Sequence, residues 1–103
     1  MGRYQDTYER SVADPEGFWR DAAAAITWST QPEVILDETH APLYRWYADG
    51  VLNTCYNAVD RHVEQGRGEQ PALHYVSPVT DTHATLTYAE LQREVALFAG
   101  MLA

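Results

Sequence analysis

Residues 87–103 read Thr-Tyr-Ala-Glu-Leu-Gln-Arg-Glu-Val-Ala-Leu-Phe-Ala-Gly-Met-Leu-Ala, and the two ends of this stretch differ in kind. Its start is a capping box. Thr87 can accept from the amide of Glu90 while the Glu90 carboxylate reaches back to the amide of Thr87, so a helix is expected to follow. Its end, residues 95–103, holds no charged or strongly polar side chain. A surface helix keeps one wet face, whereas a helix apolar all round is expected to be buried on all sides. The end also lacks a C-cap motif and a basic last turn. A chain of 103 residues offers too little core to surround such a helix. The expectation is therefore a piece of a larger protein. A membrane-associating helix is the weaker reading, because the run is short and has no flanking basic or interfacial anchors.

Upstream, Gly66, Gly68 and Pro71 break the chain. Residues 72–76 and 84–87 then read as two strands joined by a loop at 77–83, a candidate hairpin. Before the break, Asn53 suits an N-cap for a helix over about 54–65 that stops at Gly66, with Leu52, Tyr56, Val59 and Val63 as its apolar face. Asp49-Gly50 reads as a turn that closes the aromatic run Tyr44-Arg45-Trp46-Tyr47. Residues 27–43, with Pro32 and Pro42, read as an extended, wrapping connection with a brief strand at 34–36. Asp14, Pro15 and Glu16 open a helix: an N-cap acceptor, a residue suited to the first turn, and a charge matched to the positive helix end. Phe18, Trp19, Ala22, Ala23 and Ile26 carry that helix to about Ile26 on one apolar stripe. Residues 3–12 read as a short polar helix or arm.

Fifteen acidic residues against seven basic ones give a net charge of −8. Such a surface repels phosphate backbones and argues against a nucleic-acid reader. Every basic residue is Arg, so Schiff-base, lysine-base and Walker-type phosphate-lysine chemistry are excluded from this chain. No apolar run reaches membrane-spanning length. The single cysteine, Cys55, fits a reducing cytoplasm.

Several constellations invite chemistry. His40, His62, His74 and His83 lack the i, i+4 spacing of a zincin helix and any Cys pair, so structural or solvated roles are favoured over metal ligation. Asp60-Arg61-His62 resembles a catalytic group, but neighbours on a helix point about 100° apart and cannot converge on one atom. Ion pairs or backbone contacts for Asp60 and Arg61 are the favoured reading. Gly66-Arg67-Gly68 lacks the third glycine, the preceding strand and the Lys of a phosphate loop, and reads as a helix C-terminus. Cys55 has no base nearby in sequence and is expected in the core. Tyr44, Trp46 and Tyr47 could stack a base, yet in so acidic a chain packing is favoured.

Three stretches, in order, resemble the N-terminal region of the acetyl-CoA synthetases: Asp14-Pro15-Glu16-Gly17-Phe18-Trp19; residues 46–53 running on to 57–62; and Gln70-Pro71-Ala72-Leu73 with the hairpin and Leu86-Thr87-Tyr88-Ala89-Glu90-Leu91. Together they cover about residues 4–103. Residues 52–57 and the loop Ser77-Pro78-Val79-Thr80 look more like the propionyl-CoA synthetases. The resemblance implies an α+β segment: N-terminal helices and wrapping connections, a central helix, a β-hairpin and a C-terminal helix, forming the start of a larger α/β adenylate-forming enzyme. Residues 1–71 would wrap the large domain and residues 72–103 would open it.

The implied activity is that of an AMP-forming acyl-CoA synthetase. A short carboxylate is activated by MgATP to an acyl-adenylate, and the acyl group then passes to the thiol of CoA. The family's phosphate loop, adenine and ribose contacts and catalytic Lys lie downstream of the stretches matched here. No catalytic, cofactor-binding or metal residue is therefore assigned to this chain. ATP, Mg²⁺ and CoA are implied for the full-length enzyme only, and the chain alone is expected to be inactive. Its implied partner is the remainder of the synthetase. The alternative is a freestanding module that binds a partner or itself through the apolar helix 91–103.

Overall fold

Asp14 sets the first turn of the fold. In a computed structural model that describes residues 2–103, its carboxylate accepts from the amide of Gly17 at 3.0 Å and caps α2 (Pro15–Ala23). The helix before it, α1 (Arg3–Ala13), buries no residue. The two helices are tied by an Arg10–Asp21 ion pair, and the Arg10 guanidinium lies 5.7 Å from the centre of the Phe18 ring. The chain divides into two compact units, one ending at Asn53 and one spanning Thr54–Ala103.

Within the first unit α2 ends at Ala23, three residues short of the expected Ile26. The amides of Ala24, Ala25 and Ile26 donate to carbonyls three residues back, tightening the last turn. The indole of Trp28 then donates to the Ala23 carbonyl at 2.9 Å, so a side chain takes an acceptor that terminates the helix. The wrapping connection follows. β1 (Leu36–Asp37) pairs antiparallel with β2 (Arg45–Trp46), Leu36 opposite Trp46 and Asp37 opposite Arg45. The brief strand expected at 34–36 thus starts at Leu36, and its partner arises from the aromatic run Tyr44-Arg45-Trp46-Tyr47. The core of this unit is Ala23 and Ile35, with Ile35 3% exposed.

The second unit begins with a central helix, residues 54–67, that is not the regular α-helix expected. Tyr56–Asp60 and Val63–Arg67 are wound as π-helix. Wider winding rotates the faces relative to an α-helical count. Asn57 and Val59 are buried, while Tyr56 and Val63, assigned to the apolar face, are only half-buried. The helical backbone breaks where a stop was expected, one residue before the last π-wound stretch ends. Gly66 sits at φ 80°, ψ 16°, the left-handed conformation that ends helices and suits glycine.

β3 (Pro71–Ser77) and β4 (Thr82–Thr87) form the expected antiparallel hairpin, in register from Ser77–Thr82 to Leu73–Leu86 with an irregularity between Pro71 and Leu73. The loop is shorter than expected, residues 78–81, because Asp81 takes a left-handed conformation (φ 50°) and pairing starts at Thr82. α3 (Tyr88–Leu102) carries the capping box as read: Thr87 Oγ1 accepts from the Glu90 amide at 3.2 Å and Glu90 accepts from the Thr87 amide at 2.9 Å. It packs on both hairpin strands and on the central helix. Its far end is uncovered, as expected of a chain with too little core to surround it. No residue of α3 is buried, and Phe98 and Met101 are 60% and 80% exposed. Within this unit no element covers that end, so its apolar side chains face outward.

Candidate functional site

In the first unit the distinctive construction surrounds Tyr47. Its backbone lies at φ 53°, a conformation that is uncommon for a bulky residue. Four contacts hold it there. The Tyr47 amide donates to the Ile35 carbonyl at 2.9 Å, its hydroxyl donates to the Trp19 carbonyl at 2.7 Å, and its ring meets those of Trp28 and Trp46. Burial pushes the Tyr47 phenol above its ordinary value. The turn closes by donation from the Gly50 amide to the Tyr47 carbonyl. Gly50 itself is needed for close approach, since a Cβ there would lie 2.8 Å from Cζ3 of Trp28 and 3.1 Å from Cβ of Pro32. The turn read at Asp49-Gly50 is therefore real, with the left-handed residue at Tyr47.

Asp49 serves the same loop. Its carboxylate accepts from the amides of Glu33 (3.0 Å) and Val34 (3.2 Å), which hold it below the ordinary carboxylate range, the Glu33 amide most strongly. One aspartate thereby satisfies two amides of a segment with no ladder of its own. Asp37 does likewise locally, accepting from the hydroxyl and amide of Thr39, whose hydroxyl lies 2.9 Å from Nδ1 of His40. Beside Tyr47, an open apolar cavity of about 320 Å³ is lined by Trp19, Ala22, Ala23, Ile26, Trp28, Tyr47 and Leu52. Trp46 packs edge-on to Trp19 at 6.2 Å, so this residue and Tyr47 pack as favoured, while Tyr44 is exposed.

In the second unit Asp60, Arg61 and His62 diverge, as the helix geometry requires. Asp60 accepts from the Gln92 side chain at 2.7 Å and from the Cys55 thiol at 3.8 Å. Arg61 donates to the Asn57 side chain at 3.2 Å. His62 lies against the ring of Tyr88. Asp60 and Arg61 thus make side-chain hydrogen bonds to Gln92 and Asn57. Cys55 is exposed, not in the core as expected, because π-winding places Asn57 and Val59 inward instead. Of the other histidines, His74 Nδ1 lies 3.0 Å from the Thr85 hydroxyl across the hairpin. Sequence reasoning missed Asn57, Gln92 and Tyr88, whose roles depend on winding and on pairing between elements.

The segment 66–68 does not fit a phosphate. It follows the carbonyl end of the central helix, whose partial charge is negative, with Gly66 in the left-handed conformation of a helix stop. No three His, Cys, Asp or Glu side chains among the described residues could together hold a metal ion. No described helix is long and apolar enough to cross a membrane.

The family described as acetyl-coenzyme A synthetase N-terminus matches residues 4–58, which takes in both helices, the Tyr47–Gly50 turn and the start of the central helix. The chain belongs to this family. Similarity to whole synthetases runs further, through the hairpin and α3. Human acyl-CoA synthetase short-chain family member 3, mitochondrial, is 48% identical over 96% of this chain and 14% of its own length. The Bos taurus protein of the same name is 46% identical over 98% of this chain and 15% of its own. Acetyl-coenzyme A synthetase of Streptomyces avermitilis is 44% identical over 94% of this chain and 15% of its own. The chain thus spans about 15% of the length of these relatives, and its α+β structure is that of an acetyl-coenzyme A synthetase N-terminal region.

Proposed function

We propose that these residues form the N-terminal structural portion of an enzyme that converts a carboxylate, ATP and CoA to acyl-CoA, AMP and diphosphate, with propionate or acetate as the acid. Residues 1–71 wrap the large domain and residues 72–103 open it. No catalytic, cofactor-binding or metal residue is contributed by this stretch, and ATP, Mg²⁺ and CoA are held elsewhere in the enzyme. The observation that supports this reading is the similarity over nearly the whole chain to a small part of each synthetase. The sparse core agrees with it: among the described residues the buried apolar side chains are Ala23, Pro32, Ile35 and Val59. A lone thiol at Cys55 suits a reducing compartment such as the cytoplasm.

The purified chain, given propionate or acetate with MgATP and CoA, is expected to release no AMP. A chimera in which residues 1–103 replace the matching segment of the Streptomyces avermitilis synthetase is expected to turn over. Turnover by the chain alone, or a folded but inactive chimera, would overturn the reading. A second reading, self-association through residues 91–103, is favoured by the outward-facing Leu97, Phe98, Met101 and Leu102. Sedimentation separates the two, since a concentration-dependent dimer supports the second and a monomer removes it.

A further inference from the structure

His62 sits where the central helix meets the first residue of α3. Its ring centroid is 4.8 Å from that of Tyr88, with the planes tilted by 47°. The chain after the central helix closes the same joint: the Tyr88 amide donates to the Gln70 carbonyl and the Ala89 amide to the Gly68 carbonyl, each at 3.0 Å. Gly68 fills the gap between, where a Cβ would come within 3.6 Å of both Val63 and Ala89.

Nδ1 of His62 is shielded from solvent and has no hydrogen-bond partner among the described residues. A neutral ring protonated on Nε2 leaves only an unfilled acceptor there, the least costly state for a buried ring nitrogen. The next proton can bind only at Nδ1, where it would be a charged donor shielded from solvent with no acceptor among the described residues. The surroundings oppose that proton as well. Burial acts first, followed by the positive charges of Arg67 and Arg61 on the same element, and together they lower the ring below its ordinary 6.5. The ring also faces the positive end of α3. Of the carboxylates of the neighbouring turns, Asp60 is committed to Gln92 and Cys55, Glu64 to the Tyr56 hydroxyl and Glu90 to the Thr87 amide, Glu94 lies 3.8 Å from Arg93, and Glu69, on the turn after the central helix, is exposed.

We propose that His62 is a proton-sensitive latch: neutral, it holds the central helix on the start of α3, and a proton on Nδ1 opens that joint. The opened state takes up the proton more readily than the closed one. The joint is therefore at full strength above the ordinary histidine value of 6.5 and weakens as pH falls below it.

The test is an NMR titration of the histidine rings, with amide exchange measured at about pH 7.5 and about pH 5.5, either side of the ordinary histidine range. Wild type, His62→Phe and His62→Gln are compared after correction for intrinsic exchange rates. His62→Phe keeps a ring against Tyr88 and cannot titrate. In the wild type, His62 is expected to titrate below 6.5. Amides of the central helix and the first turn of α3 are expected to lose several-fold more protection on acidification in the wild type than in His62→Phe. His40 and His74, which contact threonine hydroxyls, serve as internal controls. Titration of His62 at or above 6.5 would overturn the proposal even if neither variant folds. An identical pH response in wild type and variants would overturn it too.

Discussion

In the unit ending at Asn53, single side chains reach far along the sequence to hold an irregular backbone. Asp49 takes amides fifteen and sixteen residues away, Tyr47 bonds the carbonyl of Trp19 twenty-eight residues away, and Trp28 closes α2 from beyond its end. In the unit Thr54–Ala103 the backbone is held mainly by its own elements, a wound helix, a hairpin ladder and a capped α3. The first kind of construction concentrates stability in a few side chains. The second spreads it over many backbone hydrogen bonds and leaves apolar side chains facing outward. The two should therefore fail differently when single residues are changed.

The largest effect is expected at Gly50. In Gly50→Ala the new methyl meets the ring of Trp28 at 2.8 Å, and relief requires moving either that ring or the turn. Overpacking of this kind costs about 1–3 kcal/mol. All three tryptophans, Trp19, Trp28 and Trp46, lie in the first unit, so tryptophan fluorescence, excited where tyrosine does not absorb, reports on it alone. The fluorescence melt of Gly50→Ala should fall while amide protection in the β3–β4 hairpin stays unchanged. Equal loss in both units would break the comparison.

A smaller, pH-dependent effect is expected at Asp49. Its folded-state value is depressed, so its contribution is complete above the ordinary 3.8 and is lost as pH falls below it. The fluorescence midpoint of the wild type should drop through that acid range. Asp49→Asn should begin lower at neutral pH and drop less. Asp37, depressed by its bonds to Thr39, titrates in the same window in both proteins and cancels in the difference. Parallel acid profiles for the two proteins would show that Asp49 is not the anchor of its loop.

Legibility in the sequence followed the same division. The capping box at Thr87 and Glu90, the N-cap at Asp14 and the stop at Gly66 depend on residues within one turn of each other, and all three are found in the structure. The hairpin was readable from its alternating strands and its breakers. What escaped reading depended on distant partners or on unusual winding. The Trp28 indole shortened α2, Ile35 and Leu36 drew the aromatic run into a strand, and π-turns moved Asn57 inward and Cys55 outward. The buried Nδ1 of His62 was equally invisible, because its environment exists only once Tyr88 is in place.

The smallest effect in the isolated chain is expected at Phe98, and it sharpens the contrast from the other side. At 60% exposure its ring has little packing to lose, so Phe98→Glu should shift the melt of this chain by less than about 0.5 kcal/mol, the usual range for surface changes. Covering the same ring would be worth about 1.5–3 kcal/mol, and a carboxylate placed there would add an unpaired buried charge. In the chimeric synthetase, where residues 91–103 are proposed to be covered, the same substitution should cost yield or activity heavily. A variant neutral in the chain and damaging in the chimera would identify the end of α3 as a face that other parts of the enzyme complete. A variant damaging in the chain itself would mean that the face is already packed, which its outward-turned Leu97, Met101 and Leu102 argue against.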